Sequence, residues 1–234
     1  MKKKVYILII LAIIAAAVVF LINKYNIKTR YYIDLGIKHA KNIKGVEVPE
    51  EYSKEDKNNN GISDPIDIVN AARKEAENKT AYKDAYYNGG YPPETEGVCT
   101  DVIWRGLKGM GIDLKTLVDK DIKNNLSHYP RIERKPDPNI DFRRVKNLDM
   151  FFKYNAETLT RELEPYNVEN LKQWQPGDIV IIMQPFEHIA IISDKRDKNG
   201  VPKVIHNTTP HAVESGSLVY WAPHIYAHYR WKYS

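Results

Sequence analysis

An α+β fold is predicted for this chain, with a helix-borne cysteine packed on an antiparallel sheet, and three observations predict it. After Cys99, the single cysteine, apolar side chains recur at helical spacing (Val102, Ile103, Leu107, Met110) until Gly109 and Gly111 stop the pattern. In the C-terminal quarter the pattern changes to short apolar runs between turn signals, as in a strand meander. Helices come first and strands afterwards, which argues for segregated layers and against alternating βαβ units.

Taken in order, the chain opens with Lys2, Lys3 and Lys4 and then Val5 to Ile22, a continuous uncharged and almost wholly apolar run that approaches the ~20 residues needed to span a bilayer. Residues 1–24 are therefore read as a transmembrane signal-anchor, preceding the domain and leaving it on the extracytoplasmic side of the cell membrane. A cleaved signal peptide is the competing reading, but the apolar run continues past its alanines and no small-x-small site follows before Lys24. Scattered apolar positions (Tyr32, Ile33, Leu35, Ile37, Ile43) make residues 25–51 a stalk or helical linker, and residues 52–234 are left as the domain. With 43% hydrophobic residues in 234, that domain can bury one sizeable core. The net charge of +5 is spread along the chain and no basic block interleaves with aromatics, so a nucleic-acid partner is not expected.

Asp56 to Asp67, DKNNNGISDPID, carries oxygen-bearing side chains at its first, third, fifth, ninth and twelfth positions and glycine at its sixth. This is calcium-loop spacing, with Asp56, Asn58, Asn60, the Ile62 carbonyl, Asp64 and Asp67 as the ligand set of a structural ion. The same residues also describe a solvated Asx-rich turn capping the next helix. That helix, Ile66 to Asn78, places Ile68, Val69, Ala72 and Ala76 on one face.

The Gly/Pro-rich loop from Tyr86 to Gly97 then delivers Cys99 to the first turn of its helix. Backbone N–H groups and the positive helix end there favour the thiolate, so a lowered pKa and a nucleophilic role are expected. A lone cysteine also occurs as a small buried hydrophobe. From Leu114 to Lys172 the signals are mixed. The start signal Asn139/Asp141 opens NIDFRRVKNLDMFF and sets Arg143 and Arg144 near a loop edge, either to fork a substrate carboxylate or to serve as a structural bridge.

Strands are predicted at Asp178–Met183, His188–Ser193, Lys203–Asn207, Leu218–Trp221 and Tyr226–Trp231, the last with one exposed face. If the second and third form a hairpin centred on Asp197, His188 and His206 stand directly opposite on one face, and Asn207 points to the other; a one-residue slip would exchange them. A thiol needs a base, and a base needs a group that holds its tautomer. Cys99 is thus the expected nucleophile, His188 the general base and acid, and His206 the orienter. The Cys99 N–H would contribute to the oxyanion hole. The same three side chains also form a conceivable zinc set.

These residues carry a resemblance. YYNGGYPPETEGVCTDV, WQPGDIVII, HIAIISD and VIHN follow the motif order of the NlpC-type papain-like cysteine peptidases. In finer detail GVCTDV, NIDFRRVKNLDMFF, WQPGDIV, HIAIISD, IHN and HYRW are similar to the bacterial domain-of-unknown-function family 1287, near that superfamily. The resemblance implies a papain-like (NlpC-type) core with Cys99, His188 and His206 at the catalytic positions and Tyr86 at the loop tyrosine that borders the site. Thr100-Asp101 stands where the peptidases have Ser-Gly, so Asp101 would raise the thiol pKa or alter substrate choice. The function expected is a membrane-anchored cysteine hydrolase cleaving an amide bond through an acyl-enzyme, in cell-wall peptide, with no cofactor for catalysis. The alternative is a non-catalytic wall-binding or scaffold module on the same fold.

Overall fold

The computed structural model describes residues 20, 29–38, 45–132 and 135–233. The chain forms two compact units, Met1–Ile43 and Lys44–Ser234. In the first, residues 29–38 are helical. The expected anchor at 1–24 lies, apart from Phe20, outside the described residues. Among the described residues no helix is long and apolar enough to cross a membrane.

The second unit begins earlier than the expected boundary at residue 52. Val46 N–H donates to the Lys198 carbonyl at 3.1 Å, Glu51 N–H donates to Gln175 Oε1 at 3.1 Å, and Gln175 Nε2 donates to the Pro49 carbonyl at 3.2 Å. These pairings fix the backbone of 45–51 to the domain surface, so this stretch is part of the domain and not of a stalk.

Helix α1 (Asp64–Glu77) is opened by Ser63 and Pro65, whose fixed φ suits a first helical turn. Strands β1 (Ala81–Tyr82) and β2 (Glu96–Gly97) form a short parallel pair that leads directly into α2 (Cys99–Gly109). Helices α3 (Leu114–Asn124) and α4 (Val145–Asn155) follow, then β3 (Glu157–Thr158) and the short α5 (Val168–Leu171). The remaining elements are β4 (Ile179–Ile182), β5 (His188–Arg196), β6 (Pro202–Asn207), β7 (Ala212–Ser215), α6 (Leu218–Trp221) and β8 (Ile225–Arg230). Together they give a mixed α+β unit whose six-stranded sheet runs β3-β8-β4-β5-β6-β7, every neighbouring pair antiparallel.

Ile179, Ile181, Ile189, Ile191 and Ile205 share one core with Ile68 of α1, Val102, Ile103 and Leu107 of α2, and Leu148 and Phe152 of α4. Each such side chain, taken fully out of water, contributes roughly 1.5–3 kcal/mol. The helix lies close to the sheet because Gly106 has no side chain; a Cβ there would sit 2.5 Å from Ile191 Cδ1. The alternate residues Val180, Ala190, Ile192 and Val204 are also buried, so both sheet faces are covered. This corrects the expected exposed face of the last strand, where Tyr226 is exposed but His228 is fully buried.

Two further expectations change. Leu218–Trp221 is a helical turn, not a strand. After β7 the chain stands at one edge of the sheet and must pass β6, β5 and β4 to reach β8, and a turn of helix serves that crossing. The hairpin register is also displaced. Ile191 pairs with Ile205 and Ile192 with Val204, with an irregularity between Ile192 and Arg196. Extended one step, that register sets His206 opposite Ala190, so His188 is its diagonal neighbour. A shift by two residues keeps the same face, and the rings still meet.

Candidate active site

Cys99 is the first residue of α2, after an extended Val98 (φ −122°, ψ −176°), and it is 7% exposed. The N–H groups of Ile189, Thr100 and Cys99 face the sulfur and favour a thiolate, but burial outweighs them and, with the charge of Asp101, pushes the thiol up to about 12. The lowered pKa expected from the helix start is therefore corrected: the resting thiol is neutral.

Ile189 is the residue after His188, so the sulfur stands beside the backbone that carries the imidazole. His188 Nε2 and His206 Nδ1 are 2.9 Å apart, His206 Nε2 is 3.2 Å from Ser215 Oγ, and Ser215 Oγ is 2.7 Å from Ser217 Oγ. The Trp221 ring lies edge-on to both imidazoles, with centroids 5.3 Å from His188 and 4.9 Å from His206. Burial holds both histidines neutral, lowering His188 to about 3, with His206 as the second cause, and His206 to about 4. Among the described residues His188 Nδ1 has no hydrogen-bond partner, and no hydrogen bond joins Cys99 to either histidine. Among the described residues Cys99, His188 and His206 do not form a group placed to hold a metal ion.

Asp101 and Arg143 are scaffold. Asp101 is fully buried; its Oδ2 accepts the Val98 N–H at 2.7 Å and its Oδ1 accepts Trp104 Nε1 at 2.8 Å. Arg143 closes on the same carboxylate, Nε to Oδ1 and Nη2 to Oδ2 both at 2.8 Å, and gives Nη1 to the Ala85 carbonyl at 2.8 Å. The Nε/Nη2 side of the guanidinium is filled by Asp101 and the side chain is almost fully buried, so of the two roles set out for Arg143 the structural bridge is the one observed. Gly97 must be small here, because a Cβ would lie 2.9 Å from Asp101 Oδ2. Thr100 Oγ1 donates to the Arg143 carbonyl at 3.0 Å and binds the bridge to the first turn of α2.

Asn207 points away from His206, as alternation requires. Its Nδ2 donates to the Thr80 carbonyl at 3.2 Å and to the Gly97 carbonyl at 3.1 Å, which pins the turn before Cys99 to β6. Tyr86 is exposed; its hydroxyl donates to Asp137 at 3.1 Å and accepts from Asn139 Nδ2 at 2.8 Å. The tyrosine whose ionisation feels Cys99 is Tyr82, next to β2, which sequence reasoning passed over. Nothing local marks Tyr82, since only the parallel β1–β2 pairing brings it beside the thiol's turn.

In the 56–67 loop the oxygens expected to bind calcium are engaged by the loop itself. Asp56 accepts the Asn60 and Gly61 N–H groups at 3.1 and 2.8 Å, and Asp67 accepts Asn58 Nδ2 at 2.8 Å and Asn60 Nδ2 at 2.9 Å. Asn60 Oδ1 accepts the Ile62 N–H at 2.8 Å; the Ile62 side chain is exposed. Asp64 Oδ1 accepts the Lys57 N–H at 3.0 Å, while its Oδ2 is enclosed without a partner. The donor set is all oxygen, as a hard cation requires, and the geometry is equally that of an Asx-rich turn.

A model of the family described as Domain of unknown function (DUF1287) matches residues 69–231. The chain belongs to this family. The match takes in Cys99, Asp101, Arg143, His188, His206 and Asn207, and begins after the 56–67 loop. Among curated proteins the chain is similar to "Uncharacterized protein YijF" of Escherichia coli (strain K12), at 35% identity over 172 residues, covering 70% of this chain and 80% of the relative. No solved structure matches the chain.

Proposed function

We propose that this DUF1287 chain is a cysteine hydrolase of papain-like (NlpC-type) arrangement, cleaving an amide bond through an acyl-enzyme, with cell-wall peptide as substrate and the 1–24 segment as its membrane anchor on the extracytoplasmic side. One observation carries the reading: the base beside the thiol is half-saturated. His188 spends Nε2 on His206 and, among the described residues, leaves Nδ1 without a partner, one residue from the Ile189 N–H that faces the sulfur.

The reading requires one tautomer of the relay. When His188 Nε2–H donates to His206 Nδ1, His206 Nε2–H donates to Ser215 and Ser215 to Ser217, and His188 Nδ1 is left as a free base. A neutral thiol and a neutral imidazole imply that proton transfer accompanies attack. As Sγ bonds to the carbonyl carbon, the thiol proton passes to Nδ1 and the C=O electron pair moves to oxygen, where the Cys99 N–H stabilises it. Collapse breaks the C–N bond, and the amine leaves with the proton from Nδ1. Water, deprotonated at Nδ1, then attacks the thioester and releases the carboxylic acid, restoring the thiol.

The buried thiol with its raised pKa favours the alternative, a non-catalytic wall-binding or scaffold module. Hydrolysis of cell-wall peptide by the full chain decides between them. Cys99→Ala is expected to abolish turnover; unchanged turnover in that variant would sink the hydrolase.

A further inference from the structure

Beside the candidate site lies a pocket of about 530 Å³ lined by Pro130, Arg131, Arg144, Lys146 and Glu187. Two contacts locate it. The carbonyl of Arg143 accepts Thr100 Oγ1 at 3.0 Å, so the backbone carrying Arg144 is tied to the first turn of the cysteine helix. Glu187 directly precedes His188 at the start of β5. The pocket is thus walled by the residue before His188 and by Arg144, whose neighbour Arg143 is held by Thr100, the residue after Cys99.

Its charges are unequally matched. Lys146 Nζ pairs with Glu187 Oε1 at 2.8 Å, which balances one positive side chain. Among the described residues neither the Arg131 nor the Arg144 guanidinium has an ion pair or hydrogen bond, although Arg144 is half-buried. A carboxylate that feels Arg144, Asp141, is committed elsewhere: its Oδ2 accepts the Asp137 N–H at 2.7 Å and Oδ1 accepts Asn147 Nδ2 at 3.4 Å. An adjoining pocket of about 360 Å³ shares Pro130, Arg131, Lys146 and Glu187 and adds Asp149, whose Oδ1 accepts the Tyr229 hydroxyl at 2.8 Å, with Met150, Met183, Gln184 and Tyr226, a mixed apolar and polar floor for the rest of a ligand. The contrast with Arg143 is chemical. Both offer a planar fork of donors, but that of Arg143 is filled by Asp101 and that of Arg144 is open.

We infer that Arg144, assisted by Arg131, binds a carboxylate of the substrate, so that the peptide cleaved at Cys99 carries an acidic side chain or a free carboxyl terminus close to the scissile bond. This rests on the hydrolase reading for its connection to the thiol; the anion site itself does not. A half-buried guanidinium presents a planar fork of donors, and a bidentate carboxylate is the partner that matches its geometry.

The test uses the full chain and two measurements. In the first, calorimetric titration compares N-acetyl-glutamate, N-acetyl-glutamine and inorganic phosphate on wild type, Arg144→Gln and Arg144→Lys. N-acetyl-glutamate is expected to bind about tenfold more tightly than the amide, and Arg144→Gln to erase that preference, a loss on the scale of one charge-assisted pair. Arg144→Lys keeps the charge without the fork and should fall between. No preference in wild type, its persistence in Arg144→Gln, or tighter binding of phosphate would each overturn the carboxylate site.

In the second, the alkylation rates of Cys99 by iodoacetate and iodoacetamide are compared. The ratio is expected to favour the anionic reagent in wild type and to drop in Arg144→Gln. A reactive thiol with an unchanged ratio would overturn the proposal that this pocket serves Cys99. A thiol inert to both reagents, with carboxylate binding intact, would overturn the hydrolase reading and leave the anion site standing.

Discussion

His188 and His228 are two buried histidines of one sheet, each against a tryptophan, and they differ in how their ring nitrogens are engaged. His228 is fully buried, stacked on Trp174 with centroids 3.9 Å apart, and both its nitrogens are engaged: Nδ1 with the Thr160 carbonyl at 2.8 Å and Nε2 with Asp178 Oδ2 at 3.0 Å. Asp178 also accepts Arg230 Nε at 2.7 Å and the Gln175 N–H at 2.8 Å, so the cluster is closed on itself. His188 is nearly as buried and is covered by Trp221, yet among the described residues one nitrogen has no partner. A saturated buried histidine joins elements; one with an open nitrogen retains a site at which a proton can be exchanged. Arg143 and Arg144 repeat the lesson on adjacent residues.

The comparison is broken most directly by exchanging alanine into each position. His188→Ala is expected to lower turnover about 100- to 10,000-fold, the range of a positioned acid–base group, and to cost less stability than His228→Ala because one hydrogen bond is lost and not two. His228→Ala is expected to do the reverse, costing about 2–3 kcal/mol in urea denaturation through two lost hydrogen bonds and a vacated stack, with kcat of the folded fraction retained. If both variants lose stability alike and neither changes turnover selectively, the distinction fails.

The arginine pair sharpens it. Asp101→Asn leaves Arg143 buried against a neutral partner and is expected to cost about 3–5 kcal/mol, seen as a lowered urea midpoint, because an uncompensated interior charge remains. Arg144→Gln removes an unpaired side chain and should change stability by less than about 0.5 kcal/mol.

A separate effect is in the pH dependence of folding. His188 and His206 titrate near about 3 and about 4 in the folded chain against 6.5 when unfolded, both held down by burial. Below pH 6.5 the unfolded chain therefore binds protons that the folded chain does not. Stability is full above that pH and falls as the pH drops toward 4 and then 3, by at most roughly 1.4 kcal/mol per pH unit for each histidine. His206→Gln is expected to reduce the slope of Tm against pH over this window; an unaltered slope would mean that other groups set it.

Much of this was legible because it is local. Periodicity marked the cysteine helix and the strands at 178–183, 188–193 and 203–207 within a few residues of their ends. Helix α3 was missed although Asp113 caps it, accepting the Thr116 N–H at 3.2 Å, and Leu114, Val118 and Ile122 are buried at a four-residue spacing. That signal is present in the sequence but is masked by its charged neighbours. Strand β7 carries no comparable mark, with only Ala212 fully buried.

By itself the sequence determined which residues begin and end the main elements, that a single thiol starts a helix, and that two histidines share a face, because side-chain direction follows from a period of 3.6 or 2. Tertiary structure alone decided the rest. The partners of Arg143 and Asn207 lie 42 and 110 positions away, and which arginine is spent and which is open depends on where those partners arrive. The thiol's pKa followed the same rule: the helix start lowers it locally, but burial under a sheet assembled from residues almost a hundred positions later raises it more.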